Sequence, residues 1–161
     1  MKWTLTNTTT GATPASDYCY NGNKEIDNLP AGQYVLEWAG TNNASGPYSF
    51  QLMPVTVDAF DVTLPVSLSN GVPAAGAVNL ETTGAHDQYR FTVPAGGQSV
   101  FLADQGCPSY MKWTLKNTTI GAVPATGYCY SGNRKIDNLP AGAYVLEWSG
   151  TNNAPAPTRS I

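Results

Sequence analysis

The sequence predicts an all-β fold, built as a two-sheet sandwich and repeated in tandem. Residues 1–47 recur as residues 111–157 with 35 of 47 positions identical in an ungapped alignment, which sets a repeat period of 110 residues. Apolar and polar side chains alternate along several short segments, and this is the period of a half-buried strand. Turn-forming residues separate these segments at short intervals, as they do in sandwiches.

The strands follow from the alternation, taken in chain order. Each predicted strand places its apolar side chains on one face and its polar side chains on the other. The apolar positions are Met1, Trp3 and Leu5; Tyr34, Leu36 and Trp38; Tyr48, Phe50 and Leu52; Tyr89, Phe91 and Val93; and Met111, Trp113 and Leu115. The turns between them are Asn21-Gly22, Asn70-Gly71, Pro94–Gly97, Ser131-Gly132 and the two Leu-Pro-Ala-Gly segments at 29–32 and 139–142.

The repeat period is that of a whole domain, because a solenoid unit spans only about 20 to 50 residues. The chain covers about one and a half periods, with two copies of one half-domain and a single copy of the stretch 48–110. Met1 aligns with Met111 inside the repeat, so we expect the chain to be part of a longer protein.

Composition excludes two classes of partner. Charged residues make up 12% of the chain and the net charge is -3, which is not the basic surface of a nucleic-acid-binding protein. The sequence contains no run of 18 apolar residues, so we expect no insertion into a membrane. The polar start MKWTLTNTTT lacks the apolar core of a signal peptide.

The motif Asp87–Gly96, DQYRFTVPAG, followed by Leu139–Leu146, LPAGAYVL, resembles the bacterial pre-peptidase C-terminal domain. The segment Gly46–Leu52 in the first copy is similar to the closing strand of that family. The resemblance implies a jelly-roll-like antiparallel β-sandwich without catalytic activity, usually secreted. Such domains lie beside protease domains or in arrays within large surface proteins.

The resemblance also implies the domain boundaries. Residues 1–53 would be the back half of one unit, residues 54–62 a linker, and residues 63–161 a second unit. The second copy ends in Pro157–Ile161, PTRSI, where the first has a closing strand, so its last strand is left undefined. A second pairing stays open, in which residues 1–53 dock on residues 63–110 as a circularly permuted unit. In either pairing, one back half lacks a partner.

The three cysteines predict one disulfide bridge and an oxidising compartment. Cys107 and Cys129 lie within one unit and would close a loop that contributes about 3 kcal/mol. Cys19 is the counterpart of Cys129, and we expect it to be unpaired or paired outside the chain. A zinc site completed by His86 is disfavoured, because zinc ligands usually come in closely spaced pairs. No cofactor is predicted, and Ca²⁺ at converging loop carboxylates is the remaining alternative.

Catalytic constellations are not predicted. His86 is the single histidine, and its place before a strand predicts a solvated loop side chain. Glu37 and Glu147 occupy outward strand positions and are interpreted as surface residues. The possible ligand-facing aromatics are Tyr18, Tyr20, Tyr128 and Tyr130, which border turns and could stack on a sugar.

These observations predict a non-enzymatic, extracellular or cell-surface repeat module. It would serve as a structural spacer or self-assembly unit of a bacterial surface array or filament, in contact with copies of itself or with neighbouring repeats. The alternative is a carbohydrate- or matrix-binding accessory module of a secreted hydrolase, with a glycan or matrix component as its partner.

Overall fold

The structure is a computed structural model that describes residues 1–103, 106 and 110–151. The chain divides into two compact units, Met1–Met53 and Pro54–Ile161, which are described separately below. Regular structure consists of strands and two single 3-10 turns across the described residues. The predicted all-β fold is therefore confirmed.

The first unit contains one antiparallel sheet of three strands. The strands are β1 (Lys2–Asn7), β2 (Ala15–Tyr18) and β3 (Tyr34–Ala39), in the order β2-β1-β3. Trp3 and Leu5 are buried on one face of β1, while Lys2 is exposed on the other, as the alternation predicts. In the β1–β3 register, Leu5 lies opposite Leu36 and Trp3 lies opposite Trp38.

The second unit contains a five-stranded and a two-stranded sheet. Its strands are β4 (Val57–Asp61), β5 (His86–Val93), β6 (Gln98–Leu102), β7 (Met111–Asn117), β8 (Ala125–Tyr128), β9 (Arg134–Leu139) and β10 (Gly142–Gly150). The larger sheet has the order β4-β5-β10-β7-β8, and β6 pairs with β9 in the smaller one. β5 therefore pairs with β10 of the second repeat copy, as in the predicted unit of residues 63–161.

One pair of strands departs from the antiparallel prediction. β4 and β5 run parallel, with Val57 opposite His86 and Asp61 opposite Arg90. Parallel neighbours need a crossover connection rather than a tight hairpin, and residues 62–85 provide it. This connection is long enough for the crossover that a parallel pair requires.

The core of the second unit lies between its two sheets. Side chains from the larger sheet meet side chains from β9, and partly buried residues of β6 complete the contact. The buried members are Val93, Trp113, Leu115, Ile136, Leu139 and Tyr144. Two facing layers around one apolar core are the arrangement expected of a sandwich.

The stretch 54–62, predicted as a linker, contains β4 and belongs to the second unit. Phe60 stacks on Tyr89 of β5, with ring centroids 5.5 Å apart. The five residues Val-Asp-Ala-Phe-Asp do not alternate cleanly, and β4 is an edge strand that is mostly exposed. The hydrophobic pattern of this segment therefore gives little indication that it pairs with β5.

The strand predicted at Tyr48–Leu52 is wrong, because this segment has no strand structure and no described segment pairs with it. The rings of Tyr48 and Phe50 instead pack on Trp38, each with a centroid distance of 5.1 Å. Alternation predicts which face of a segment is apolar, but a strand also needs a neighbouring backbone for its hydrogen bonds.

Candidate assembly surface

The same seven residues, IDNLPAG, occur in two structural settings, at 26–32 and at 136–142. In the second unit this sequence begins within β9, where Ile136 lies opposite Val100 of β6. In the first unit residues 24–29 form no strand. Because the local sequence is identical, the difference comes from the tertiary partner: β6 is present beside one copy and has no described counterpart beside the other.

Burial differs between the copies in the same way. The side chain of Leu139 is 1% exposed, whereas that of its counterpart Leu29 is 41% exposed. Cys129 is buried, and its counterpart Cys19 is exposed. The first copy thus presents to solvent residues that the second copy places in its core.

Local geometry, in contrast, is the same in both copies. Asn28 and Asn138 both adopt a φ of 55°. The hydroxyl of Tyr34 donates to the Pro30 carbonyl at 2.8 Å, and Tyr144 makes the same bond to Pro140. The turn in the first unit therefore already has the asparagine φ and the tyrosine–proline hydrogen bond of the completed unit.

The two copies also differ at one sheet edge. β10 lies between β7 and β5, so both of its edges are paired. β3 is the counterpart of β10 and pairs with β1 on one side only, in the register that β10 keeps with β7. No described segment pairs with its other side. We call this edge of β3, together with the exposed Leu29, the open face.

The backbone of β3 shows which groups point outward at the open face. The carbonyl of Gln33 accepts the Thr8 N–H at 2.9 Å, just as the Ala143 carbonyl accepts that of Thr118. Successive residues of a strand direct their N–H and C=O groups to opposite sides. Tyr34, Leu36 and Trp38 therefore direct their N–H and C=O groups toward the open edge. In β10 the corresponding backbone groups are paired with β5.

A polar cluster on β5 and β10 corrects the interpretation of His86 and gives Glu147, which is partly exposed, a partner on the neighbouring strand. His86 is buried at the start of β5, and its Nδ1 lies 3.3 Å from Oε1 of Glu147. Gln88 Nε2 donates to Oε2 of the same carboxylate at 2.7 Å. The hydrogen bond from His86 outweighs partial burial and lowers the pKa of Glu147. The solvated loop predicted for His86 is wrong, because cross-strand pairing covers the ring.

A second network ties a loop to β5. The hydroxyl of Tyr89 accepts the Val78 N–H at 2.8 Å and donates to Oδ2 of Asp87 at 3.1 Å. That oxygen also accepts the Asn79 N–H at 3.3 Å. Burial raises the pKa of Asp87 in spite of these bonds, and burial also raises the pKa of Tyr89. These groups hold residues 77–79 against the strand, and sequence spacing gave no signal for them.

The four candidate ligand-facing tyrosines form two similar pairs. Tyr18 and Tyr20 stack with centroids 5.2 Å apart and an interplanar angle of 14°. Tyr128 and Tyr130 stack at 5.2 Å and 11°. All four rings are exposed, because a 3-10 turn begins directly after the first tyrosine of each pair. Each pair could offer an outer ring face to an apolar or sugar ligand.

The cysteine and metal predictions are tested only in part. Cys107 lies outside the described residues, so its bridge to Cys129 stays a prediction. Cys19 has a free, exposed thiol. Peptide mapping after alkylation should find Cys19 modified and Cys107 linked to Cys129, and a Cys19–Cys107 link would contradict this pairing.

Among the described residues, no group of three His, Cys, Asp or Glu side chains is placed to hold a metal ion.

No family model, curated protein or solved structure matches this chain. The resemblance to the pre-peptidase C-terminal domain therefore remains a prediction from the motifs. In the part of the chain that the structure describes, no helix has the length and apolar character needed to cross a membrane.

Proposed function

We propose that this chain is a non-catalytic, extracellular repeat module that assembles with other copies of the same repeat. The observation that carries the proposal is the contrast between Leu139 and Leu29, which have the same local sequence but opposite burial. A half-domain that exposes core residues and a strand edge is a template for pairing with another chain or another repeat.

Counting half-domains gives the reason for assembly. The segment with β4, β5 and β6 completes the second unit, and the chain contains one such segment against two copies of the half that it covers. Leu29 is 41% exposed, so burying its remaining exposed surface contributes about 0.6 to 1.2 kcal/mol. Association with another repeat unit that covers the open face would be stabilised by this free energy of burial. Identical units would offer identical junctions.

Sedimentation velocity over a range of protein concentrations tests the proposal. We expect the 161-residue chain to associate as its concentration rises. The matched control is an extended chain in which a copy of residues 54–110 precedes Met1, which recreates the sequence junction found at Tyr110-Met111. The extended chain should stay monomeric. A 161-residue chain that remains monomeric at high concentration would refute the proposed assembly.

The exposed tyrosine pairs favour a second candidate, a module that binds a carbohydrate or matrix component. Two stacked pairs at equivalent positions would give a repeated binding site along an array. Binding to a glycan array that is lost in Tyr128→Ala and Tyr18→Ala variants would support this candidate. Binding that survives both substitutions would exclude these rings as the site.

A further inference from the structure

We infer that the open edge of β3 accepts, in antiparallel orientation, a strand with the sequence of β5 from a further copy of residues 54–110, one whose β5 is not already held between β4 and β10. This inference rests on the proposed assembly function and adds to it the occupant, the edge and the register. The occupant is the segment His86–Val93, and its Tyr89 would lie opposite Leu36. Addition of an extended strand to a free sheet edge is an established mode of recognition.

The register follows from the second unit. β10 pairs with β5 so that Leu146 lies opposite Tyr89, Tyr144 opposite Phe91 and Trp148 opposite Asp87. Residues 34–38 and 144–148 have the identical sequence YVLEW. Both strands also keep the same register to their other neighbour, with Leu5 opposite Leu36 and Leu115 opposite Leu146. The edge that β5 covers in one unit therefore has the same sequence and orientation as the open edge in the other.

The backbone groups of the two strands are complementary. Tyr34, Leu36 and Trp38 direct their N–H and C=O groups to the open edge. In β5 the carbonyl of Arg90 accepts the Val62 N–H at 2.8 Å, so Arg90 faces β4. Its neighbours Tyr89 and Phe91 consequently direct their groups to β10, and in the proposed complex to β3.

Side chains would meet favourable partners in the same register. Glu37 occupies the position of Glu147, whose carboxylate accepts Gln88 Nε2 at 2.7 Å. Tyr89 would contribute its ring on the face that carries Leu36 and Trp38. Asn28 already has the φ of Asn138, so this residue needs little ordering on binding, and preorganisation of this kind favours affinity.

The occupant extends naturally beyond β5. In the second unit β5 is followed by β6, which pairs with β9 through Val100 and Ile136. A peptide that carries both segments could pair β6 with residues 24–29, the counterpart of β9. This pairing would bury Leu29 in the way that Leu139 is buried in the second unit.

The probe for this inference is a synthetic peptide of residues 84–103. It is added to the full 161-residue chain, which is kept at a concentration too low for the chain to self-associate. We expect saturable binding, with amide hydrogen exchange of Tyr34, Leu36 and Trp38 slowed at least tenfold. The amides of Val35 and Glu37, which face β1, should change little. Absence of binding, or protection at other edges with none at these three amides, would overturn the inference.

N-methylation of the peptide tests the register directly. A peptide N-methylated at Tyr89 and Phe91 loses the two donors that face β3, and its binding should weaken by about 10- to 100-fold, since each bond contributes about 0.5 to 1.5 kcal/mol. The matched control is N-methylated at Gln88 and Arg90, which face away from β3, and it should bind like the unmodified peptide. Equal binding of both methylated peptides would overturn the proposed register.

The two proposals can fail separately. If the chain associates in sedimentation experiments but the peptide does not bind, the assembly function stands and the β3 edge is not its junction. If the peptide protects the three amides but the chain stays monomeric at high concentration, the edge and register stand and self-assembly of the chain is refuted.

Discussion

At the scale of single residues, the repeat places identical side chains in different surroundings. Leu139 and Leu29 share their neighbours in sequence, so their intrinsic preferences are the same. Only Leu139 has the side chains of the facing sheet around it. Any difference between equivalent substitutions at these two positions therefore measures the contribution of packing alone.

We expect Leu139→Ala to lower the free energy of unfolding of the second unit by about 2 to 5 kcal/mol, because it leaves a cavity in a closed core. Leu29→Ala should cost less than about 1 kcal/mol, since its side chain is already 41% exposed. Urea unfolding of both variants checks this. Similar losses in the two variants would mean that Leu29 is covered in solution.

The carboxylate of Glu147 should make the stability of the second unit depend on pH. Its pKa is lowered in the folded state, mainly by the hydrogen bond from His86, so its contribution is present above the ordinary value of 4.5 and is lost as pH falls through the folded pKa. Glu147→Gln should destabilise the unit by about 1 kcal/mol at pH 7. The difference from the unsubstituted protein should disappear in acid.

Glu37→Gln is the matched control for this experiment. Glu37 has the same position in β3 and is exposed, and no described strand places a histidine beside it. The control should leave stability unchanged across the pH range. A pH dependence that persists unchanged in Glu147→Gln would show that another group is responsible.

At the scale of strands, the sequence predicted the central elements and missed the peripheral ones. Alternation over five or more residues indicated β1, β3, β5 and β7, each of which has buried or half-buried side chains on one face. β2 and β8 are only four residues long, too short for a periodic signal. β9 could not be predicted from sequence, because its counterpart at residues 24–29, identical at four of six positions, forms no strand in the first unit.

The sequence predicted an unpartnered half-domain but did not predict which of its surfaces is open. Counting repeat halves predicted that one back half would lack its complement. The particular edge could not be predicted, because its identity depends on β10 lying between β5 and β7, which is a matter of tertiary pairing. His86 and Glu147 illustrate the same limit, since residues 61 positions apart become neighbours only through the register of two strands.

The pairing of β7 with β8 depends on a glycine. Gly127 lies opposite Trp113, and a Cβ at Gly127 would lie 2.8 Å from the Trp113 ring. Trp113 is buried in the core and has little room to move. We expect Gly127→Ala to destabilise the second unit by about 1 to 3 kcal/mol through overpacking, measured by urea unfolding.

The first unit provides the control for this substitution. Asp17 takes the place of Gly127 and lies opposite Trp3, so a Cβ is already accommodated there. Asp17→Ala should therefore cause no overpacking, and it removes only surface contacts of the carboxylate: the ion pair with Lys24 at 3.7 Å and the hydrogen bonds that Oδ1 accepts from the Tyr18 N–H and from Asn21 Nδ2. Its effect on stability should be smaller than that of Gly127→Ala. If Gly127→Ala is as neutral as Asp17→Ala, the ring of Trp113 can shift without cost.

At the scale of the whole molecule, one unit has a closed core and the other has a single sheet. A three-stranded sheet with one partly covered face is close to the lower limit of independent stability. Local opening is easiest where few apolar contacts hold the backbone. We therefore expect the first unit to open far more often than the second, most of all in the segment that is a strand only in the completed unit.

Limited proteolysis with trypsin compares the units at equivalent positions. Lys24 lies in the irregular segment of the first unit, whereas Arg134 and Lys135 lie in β9. A protease needs an extended backbone that is free of strand pairing, so cleavage after Lys24 should be at least tenfold faster than cleavage after its counterpart Arg134. Mass spectrometry of the early fragments gives both rates in a single experiment.

The extended chain, with a copy of residues 54–110 before Met1, shows whether the missing partner strands cause this difference. Pairing of the added β6 copy with residues 24–29 should slow cleavage after Lys24 to a rate close to that after Arg134. Cleavage elsewhere in the second unit should be unchanged, because its own pairs are already formed. If Lys24 is cut equally fast in both chains, the added half does not complete the first unit, and the incomplete sandwich is not the reason for its exposure.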